Sequence, residues 1–446
     1  MEPENQPTNL NKFLIIWMGQ LASVLGSEMT NFAITLWAWQ LTNQATPLSL
    51  IIFFTHIPKV IAASFAGLFV DRWNRKYLMM LGDTAAGFST VAILLLLLTN
   101  HLQIWHFYVT GAINGFFGYV QSLAYSASMS AIVPKQHYTR ATAMSSYITY
   151  SGSSIIAPAL AGALYYTIGF QGILTIDIIT FAIAISTLWF IAIPQPQKSQ
   201  ESRHSQNIKQ ELTFGFSYIL KRPSLLTILI FLLSSNLFDT ANGAIHSPMI
   251  LARSGDNAAV LASVQAAIGI GGVVGAVVLS IWGISISQHR IHGLLLGTAL
   301  SFTGMMVLGL GNLPSIWMIA GFFMAFFSPF IGSSNQAIWL SKVEPNVQGR
   351  VFATRYLIAQ ITAPLGLAIA GLLADYVFEP AMVPGGFLAG SLGSIFGTAS
   401  GSGMALQYTL FSFCGLLIGL GGYAFPALRD VETIVPDCDR ATESNP

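Results

Sequence analysis

Residues 67–76 read Gly67-Leu-Phe-Val-Asp71-Arg72-Trp-Asn-Arg75-Lys76, four charges in ten positions of a chain in which only 8% of residues are charged. Apolar runs flank them at 47–70 and 77–98. About 20 apolar residues cross the hydrocarbon core of a bilayer, so the stretch reads as a short charged turn joining two membrane helices at a water interface. Working outward, the same alternation of apolar runs with polar or Gly/Pro-rich breaks predicts twelve spans: 13–40, 47–70, 77–98, 104–128, 141–166 and 172–193, then 224–249, 258–282, 291–310, 315–339, 351–376 and 406–425. The apolar, glycine-studded stretch 380–404 is expected to be a loop with room for a re-entrant turn.

Composition agrees. The chain has 446 residues, 53% of them hydrophobic, and a mean hydropathy of +0.63, whereas soluble domains carry about 25% charge. A net charge of +1 without a basic run leaves no electrostatic footprint for nucleic acid. Cys414 and Cys438, one in an apolar run and one in the polar tail, exclude a disulfide framework or cysteine metal cluster. No cofactor is expected. The polar first nine residues lead into an apolar run too long for a signal peptide, so the first span is expected to be retained.

The long polar segment 194–223 divides the spans six and six. Expected domains are therefore an N-terminal six-helix bundle (1–193), a cytoplasmic linker (194–223) and a C-terminal six-helix bundle with a cytoplasmic tail (224–446). Orientation follows from Lys and Arg, which cytoplasmic loops retain. With both termini inside, sixteen of the nineteen fall in cytoplasmic segments: Lys12, Arg72, Arg75, Lys76, Lys135, Arg140, Lys198, Arg203, Lys209, Lys221, Arg222, Arg290, Lys342, Arg350, Arg429 and Arg440. Only Arg253 falls in an outer loop, while Lys59 and Arg355 lie within spans. The expected location is the inner (plasma) membrane, spanned many times.

Two internal similarities relate the halves. Val133-Pro-Lys-Gln-His-Tyr-Thr-Arg140-Ala-Thr-Ala143 matches Val343-Glu-Pro-Asn-Val-Gln-Gly-Arg350-Val-Phe-Ala353 at an offset of 210 residues, and Glu28-Met-Thr-Asn31 matches Asp239-Thr-Ala-Asn242 at 211. Equal orientation and self-similarity predict two pseudo-symmetric bundles.

The 67–76 turn resembles the Gly-x-x-x-Asp-Arg-x-Gly-Arg-Lys motif of the major facilitator superfamily, with Asn74 in place of the second glycine. Gln336-Ala-Ile-Trp339, Lys342-Val343, Gln348-Gly-Arg350-Val-Phe-Ala353, Pro364-Leu-Gly366 and Leu428-Arg-Asp-Val-Glu432 resemble the drug:proton antiporter branch that contains macrolide efflux proteins. The resemblance implies an all-α integral membrane fold of twelve helices in two bundles. It also implies a conformational latch of Gly67, Asp71, Arg72, Arg75 and Lys76, with Asp71 meeting the start of span eleven near Gly349 and Arg350. The basic residues serve equally well to enforce orientation. Gly152, Pro158 and Gly162 resemble the helix bend of antiporters, although two family glycines are alanine here, which dilutes the hint of antiport.

Ionisable groups deep in a span cost about 2.5–3.5 kcal/mol each and usually face a cavity or a partner. Glu28, Lys59 and Asp239 are the deepest and are the candidate proton-coupling residues. Glu28 and Lys59 each lie twelve residues from the outer ends of consecutive spans, so they are expected to pair; protonation of Glu28 would release Lys59, and a static pair fixing helix register is the alternative. Asp239 occupies the pseudo-symmetric position. His56 shares the Lys59 face. Asp83 and Arg355 are expected near the cytoplasmic surface, Asp177 and Asp375 near the outer ends, and Trp37, Trp39, Trp105 and Trp317 in interfacial belts. Gly269-Ile-Gly271-Gly272-Val-Val-Gly275 imitates a dinucleotide fingerprint, but it sits mid-span without a preceding strand and reads as helix packing.

No Walker lysine follows a glycine loop, so ATP is not the expected energy source. The expected activity is secondary active transport: proton-coupled efflux of an amphipathic organic compound, a drug or natural product, by alternating access. An uptake symporter or lipid flippase would share this architecture. A membrane-embedded enzyme or receptor would need a polar catalytic cluster or soluble domain, and neither is present. Partners are a small-molecule substrate, protons and the lipid bilayer, with the chain functional as a monomer.

Overall fold

The computed structural model describes residues 10–145, 152–191, 193, 208–286, 290–345 and 347–434. All regular structure among them is helical. The spanning helices are α1 (Asn11–Thr42), α2 (Ala45–Arg72), α3 (Arg75–Leu98), α4 (Ile104–Ile132), α5 and α6 (the two limbs of Ala157–Phe190), α7 (Pro223–Ser254), α8 (Ala258–Ile286), α9 (Arg290–Leu310), α10 (Pro314–Lys342), α11 (Gln348–Met382) and α12 (Ser402–Gly421). Ten described stretches are long and apolar enough to cross a membrane. One of them, Ser154–Phe190, contains both α5 and α6, and α4, which carries Asn114 and Gln121, completes the twelve.

The chain reverses between α5 and α6 at Gly169, whose φ of +66° only glycine adopts without strain. Neighbours on α1 show the reversal. Gly162 packs near Phe32, and Tyr165 donates to Gln40 at 2.9 Å. Beyond the turn, Asp177 and Thr180 lie at Gly26, and Thr187 lies at Gly19. Thus α5 runs parallel to α1 and α6 antiparallel to it.

The chain forms two compact units, one of Met1–Gln200 with Asp256–Ala266 and one of Glu201–Gly255 with Ala267–Pro446. In lipid, helices gain little from hiding apolar surface and associate through close packing at small residues. In the first unit, Gly111 and Gly115 of α4 admit Thr55 of α2, and Gly87 of α3 admits Phe181 of α6. In the second, Gly271 and Gly275 of α8 lie against the Phe322 and Phe326 backbone of α10, and Gly415 and Gly419 of α12 against Phe302 and Ala299 of α9. The sequence reading of Gly271 and Gly275 as packing positions matches this. Side chains such as Phe88 and Phe190, 69% and 85% exposed, are left for lipid.

Several expectations need correction. Residues 380–404 are an ordered cap: Glu379–Met382 continues α11, Ala389–Phe396 is a short helix, and α12 starts at Ser402 rather than Leu406. Glu379 accepts backbone N–H groups of Gly401 (3.2 Å) and Met404 (2.8 Å), satisfying donors that a helix start leaves open. Arg253 of α7 donates to the carbonyls of Gly309 (3.0 Å) and Phe396 (3.3 Å), closing the cap. Trp39 and Trp317 are each only 1% exposed. Both indoles are turned into the protein rather than toward lipid: Trp39 donates to the exposed Asp256 at 2.6 Å and Trp317 to the buried Gly311 carbonyl at 2.9 Å.

Residues 208–220 of the expected polar linker form a helix, Ile208–Leu220. Tyr218 and Ile219 are buried in the core of the second unit, and Gly215 packs on Thr354 and Arg350 of α11.

Candidate functional site

Glu28 is half-buried on α1, and its carboxylate accepts from Asn31, one turn on, at 3.5 Å. The ion pair expected with Lys59 is not formed. Lys59 is exposed on α2, and no salt bridge joins the two side chains. Equal depth on consecutive helices does not fix the direction in which each side chain points.

Asp83, about two turns into α3, and Asp177 are both buried between helices, each 4% exposed. Asp83 accepts from Gln20 at 2.8 Å and from Gln121, which also donates to Gln20 at 2.9 Å, so amides of α1 and α4 clamp a carboxylate of α3. Asp177 of α6 accepts from Thr90 of α3 at 2.8 Å and Ser27 of α1 at 3.2 Å. It therefore lies level with Gly26 and Ser27, mid-span on α1, rather than at an interface. The glycine spacing on α1, Gly19 and Gly26 at two turns, was the overlooked sequence signal, because it brings α6 against this face.

At the charged turn, Asn74 caps α3 by accepting the Lys76 backbone N–H at 3.0 Å. That accounts physically for an asparagine where the motif has glycine. Arg75 donates to the Ala127 carbonyl at 2.6 Å near the end of α4, and Lys76 Nζ to the Trp189 carbonyl at 2.9 Å near the end of α6. Cations at helix C-termini are favoured, so these two side chains tie three helix ends together. Gly67 and Arg72 are exposed. The Asp71 side chain lies outside the described part of the structure.

Of the residues expected at a bend, Gly152 opens a π-helical turn, Gly152–Ile156, and Pro158 lies in the first turn of α5. π-turns and prolines are the usual causes of helix bends. Gly162 is buried against Ala262.

In the second unit Asp239 is exposed and has no hydrogen-bond or ion-pair partner among the described residues. An acid so placed in mid-helix requires water, not lipid, beside it. Its exposed neighbour one turn on is Gly243, around which 4 Å of space is open. The repeat with Glu28 breaks at the next position: Asn31 is exposed, whereas Asn242 is fully buried and donates to Ser412 at 3.0 Å. His246, 9% exposed, lies beside the Tyr408 ring at 6.2 Å. Arg355 lies over the Trp339 ring at 5.0 Å, and Arg350 over Phe214 at 5.6 Å.

Several residues of the motif-like stretches hold the fold. Gln348 donates to the Val343 carbonyl at 2.9 Å, and buried Lys342 to the Glu432 carbonyl at 3.1 Å. Glu432 accepts the Arg290 and Ile291 backbone N–H groups at 3.3 and 3.4 Å, capping α9, while Leu428 and Val431 anchor the tail in the core. Val133 and Val343, which head the two copies of the repeat, both end their helices in extended backbone, at φ/ψ of −109°/131° and −111°/126°. The described residues contain no group of three His, Cys, Asp or Glu able to hold a metal ion.

Residues 16–366 match the family model of the Major Facilitator Superfamily. The chain belongs to that superfamily. It is a membrane transporter and not an enzyme. Among characterised relatives it is 24% identical to macrolide efflux protein A of Streptococcus pyogenes over 373 residues, covering 82% of this chain and 90% of that protein. It is 23% identical to the enterobactin exporter EntS of Escherichia coli O81 (strain ED1a), covering 88% and 89%. The fold is similar to that of a D-xylose–proton symporter, at a TM-score of 0.65 and 13% identity, covering 95% of this chain and 98% of that one.

Proposed function

We propose that this transporter exports an amphipathic organic compound, a drug or natural product, in exchange for protons, with both termini cytoplasmic in the plasma membrane. The observation that carries the reading is Asp239, an exposed and unpartnered acid in the middle of α7. A carboxylate in that position attracts a cationic or amphipathic substrate and can exchange it for a proton. Glu28 supplies a second acid in the first unit. The similarity to a macrolide efflux protein and an enterobactin exporter supports the outward direction and an organic cargo. Asp71 acts as the latch acid, and its charge stabilises one state of the alternating cycle against the helix end it meets.

The test is transport into inside-out vesicles under an imposed pH gradient. Accumulation of a macrolide or another amphipathic compound that collapses with the gradient supports the reading. Uptake unaffected by the gradient removes proton coupling, and transport only in the opposite direction makes the protein a symporter.

A further inference from the structure

The first bundle contains a carboxylate that the proposed mechanism does not use. Asp83 of α3 is buried, and both of its oxygens are held by amides. Oδ2 accepts from Gln20 Nε2 of α1 at 2.8 Å, and Oδ1 accepts from Gln121 Nε2 of α4. Gln121 Nε2 also donates to Gln20 Oε1 at 2.9 Å, so the three side chains close a ring across three helices. A glycine precedes both Gln20 and Asp83 and lets the neighbouring helices approach. A Cβ at Gly82 would meet the Gln121 side chain and the Phe117 carbonyl of α4, and one at Gly19 would meet Thr187 of α6.

A buried carboxylate that stays ionised is ordinarily matched to lysine or arginine. Among the described residues no cation bonds to Asp83. The charged and titratable groups on the elements around it are turned elsewhere. On α3 itself, Arg75 and Lys76 lie about 10–12 Å back along the axis and donate to the Ala127 and Trp189 carbonyls. On α1, exposed Lys12 and half-buried Glu28 are each about 12 Å along the axis from Gln20. Lys59 and Arg72 of α2 are exposed. Helix α4 has no Asp, Glu, Lys or Arg; its Tyr125 bonds to Ser145 at 3.1 Å, and His106 is about 22 Å along the axis from Gln121. On α6, Asp177 is about 15 Å along the axis from Thr187 and is occupied by the hydroxyls of Thr90 and Ser27. Glutamine differs from lysine in what it offers: its amide donates through NH2 to a carboxylate and, turned over, accepts through C=O from a carboxylic acid. A lysine would hold the acid ionised. Two glutamines serve both of its states.

We propose that Asp83 is a proton-binding site of the first bundle, with Gln20 and Gln121 as partners that serve the ionised and the protonated acid in turn. A proton from water forms one O–H bond on Asp83 and cancels its charge, and no other covalent bond changes. The new O–H takes Gln20 Oε1 as its acceptor and displaces Gln121, which opens the tie between α1 and α4. Loss of the proton restores the ring. Proton binding thus alters how α1 is held against α4. This rests on the proton coupling proposed above and adds a site to it, but its test reads proton binding without transport.

The experiment is infrared titration of the purified protein in lipid, following the carbonyl stretch of protonated carboxyl groups in wild type, Asp83→Asn, Gln20→Met and Gln20→Lys. In the wild type a carboxyl band grows reversibly on acidification, and it is absent from Asp83→Asn. Gln20→Met keeps the band but raises its proton affinity about tenfold, because the hydrogen bond lost from the ionised form is stronger than the one lost from the acid. The same change shifts the carbonyl frequency upward, since the O–H loses its acceptor. Gln20→Lys suppresses the band by supplying the cation that holds Asp83 ionised. The proposal is overturned if wild type and Asp83→Asn titrate alike, or if Gln20→Met leaves both midpoint and frequency unchanged. If Asp83→Asn does not fold, the Gln20 variants decide alone: a carboxyl band moved by methionine and suppressed by lysine supports the site, and one indifferent to both overturns it. A band that behaves as described, in a protein whose transport ignores the pH gradient, leaves the proton site standing and the functional reading refuted.

Discussion

Replacing Gly275 by alanine tests the packing that holds the second bundle together. A Cβ there would stand 2.9 Å from the Phe326 carbonyl carbon and 3.1 Å from its Cα, and one at Gly271 would stand 2.9 Å from both the carbonyl carbon and the Cα of Phe322. These are backbone atoms, so no side-chain rotation relieves the clash and α8 must move away from α10. Overpacking of this kind costs about 1–3 kcal/mol. Alanine also returns about 1 kcal/mol of helix propensity. The net expectation for Gly275→Ala is a loss of about 0–2 kcal/mol, a range too close to zero to decide anything by itself.

The comparison with Gly332→Ala is decisive. Gly332 is helical and exposed on α10, with nothing within 4 Å of the added carbon. It gains the propensity without the clash, so the two variants should differ by about 1–3 kcal/mol. Thermal unfolding followed by loss of the monodisperse peak in one lipid–detergent mixture ranks them. Gly271→Ala combined with Gly275→Ala should cost less than the sum of the two, since once the helices have parted the second methyl meets less resistance. Equal stability of Gly275→Ala and Gly332→Ala would refute the close approach of α8 and α10.

Asp71→Asn should leave the protein folded and inserted but slow transport, because the amide keeps hydrogen bonding and loses a charge interaction of about 0.3–1 kcal/mol; normal transport with unaltered reagent access near Arg350 counts against it. A cysteine at Ser205 should resist an impermeant thiol reagent added to intact cells, and rapid labelling from outside would reverse the orientation. Glu432→Ala should destabilise the start of α9 and the tail by about 0.3–2 kcal/mol, read as earlier proteolysis of the C-terminus, with Glu432→Gln retaining part of the effect. Asp239→Asn should weaken cationic substrates at least tenfold more than neutral ones in a binding assay, and an equal effect on both would make the acid structural.

The spans were legible because their determinant is one-dimensional. A run of about 20 apolar residues and the charges at its ends state where a helix begins, whatever it packs against. The reversal at Gly169 and the ordered 380–404 cap were not legible in the same way. The first depends on one glycine among many, and the second on Glu379 and Arg253, which find their partners only after α7, α9, α11 and α12 have assembled. The 210-residue repeat was visible at Val133 and Val343 because a helix end is a local backbone event.

The site was legible in its residue types and less so in their partners. Glu28, Lys59 and Asp239 could be found by depth alone, but which side chain a buried acid meets is set by helix rotation, and a residue count along the axis does not contain it. Glu28 therefore turns to Asn31 rather than to Lys59. Asp177 escapes a residue count for a related reason: five residues from the start of the expected span 172–193 means shallow only if all helices begin at one level, whereas α1 extends to Thr42, further out than the point where α6 begins. The symmetry of the two halves misleads in the same manner at Asn31 and Asn242, one exposed and one buried. Equivalent sequence positions on pseudo-symmetric helices share depth. Rotation is free to differ, and it decides which carboxylate meets a hydroxyl, an amide or water.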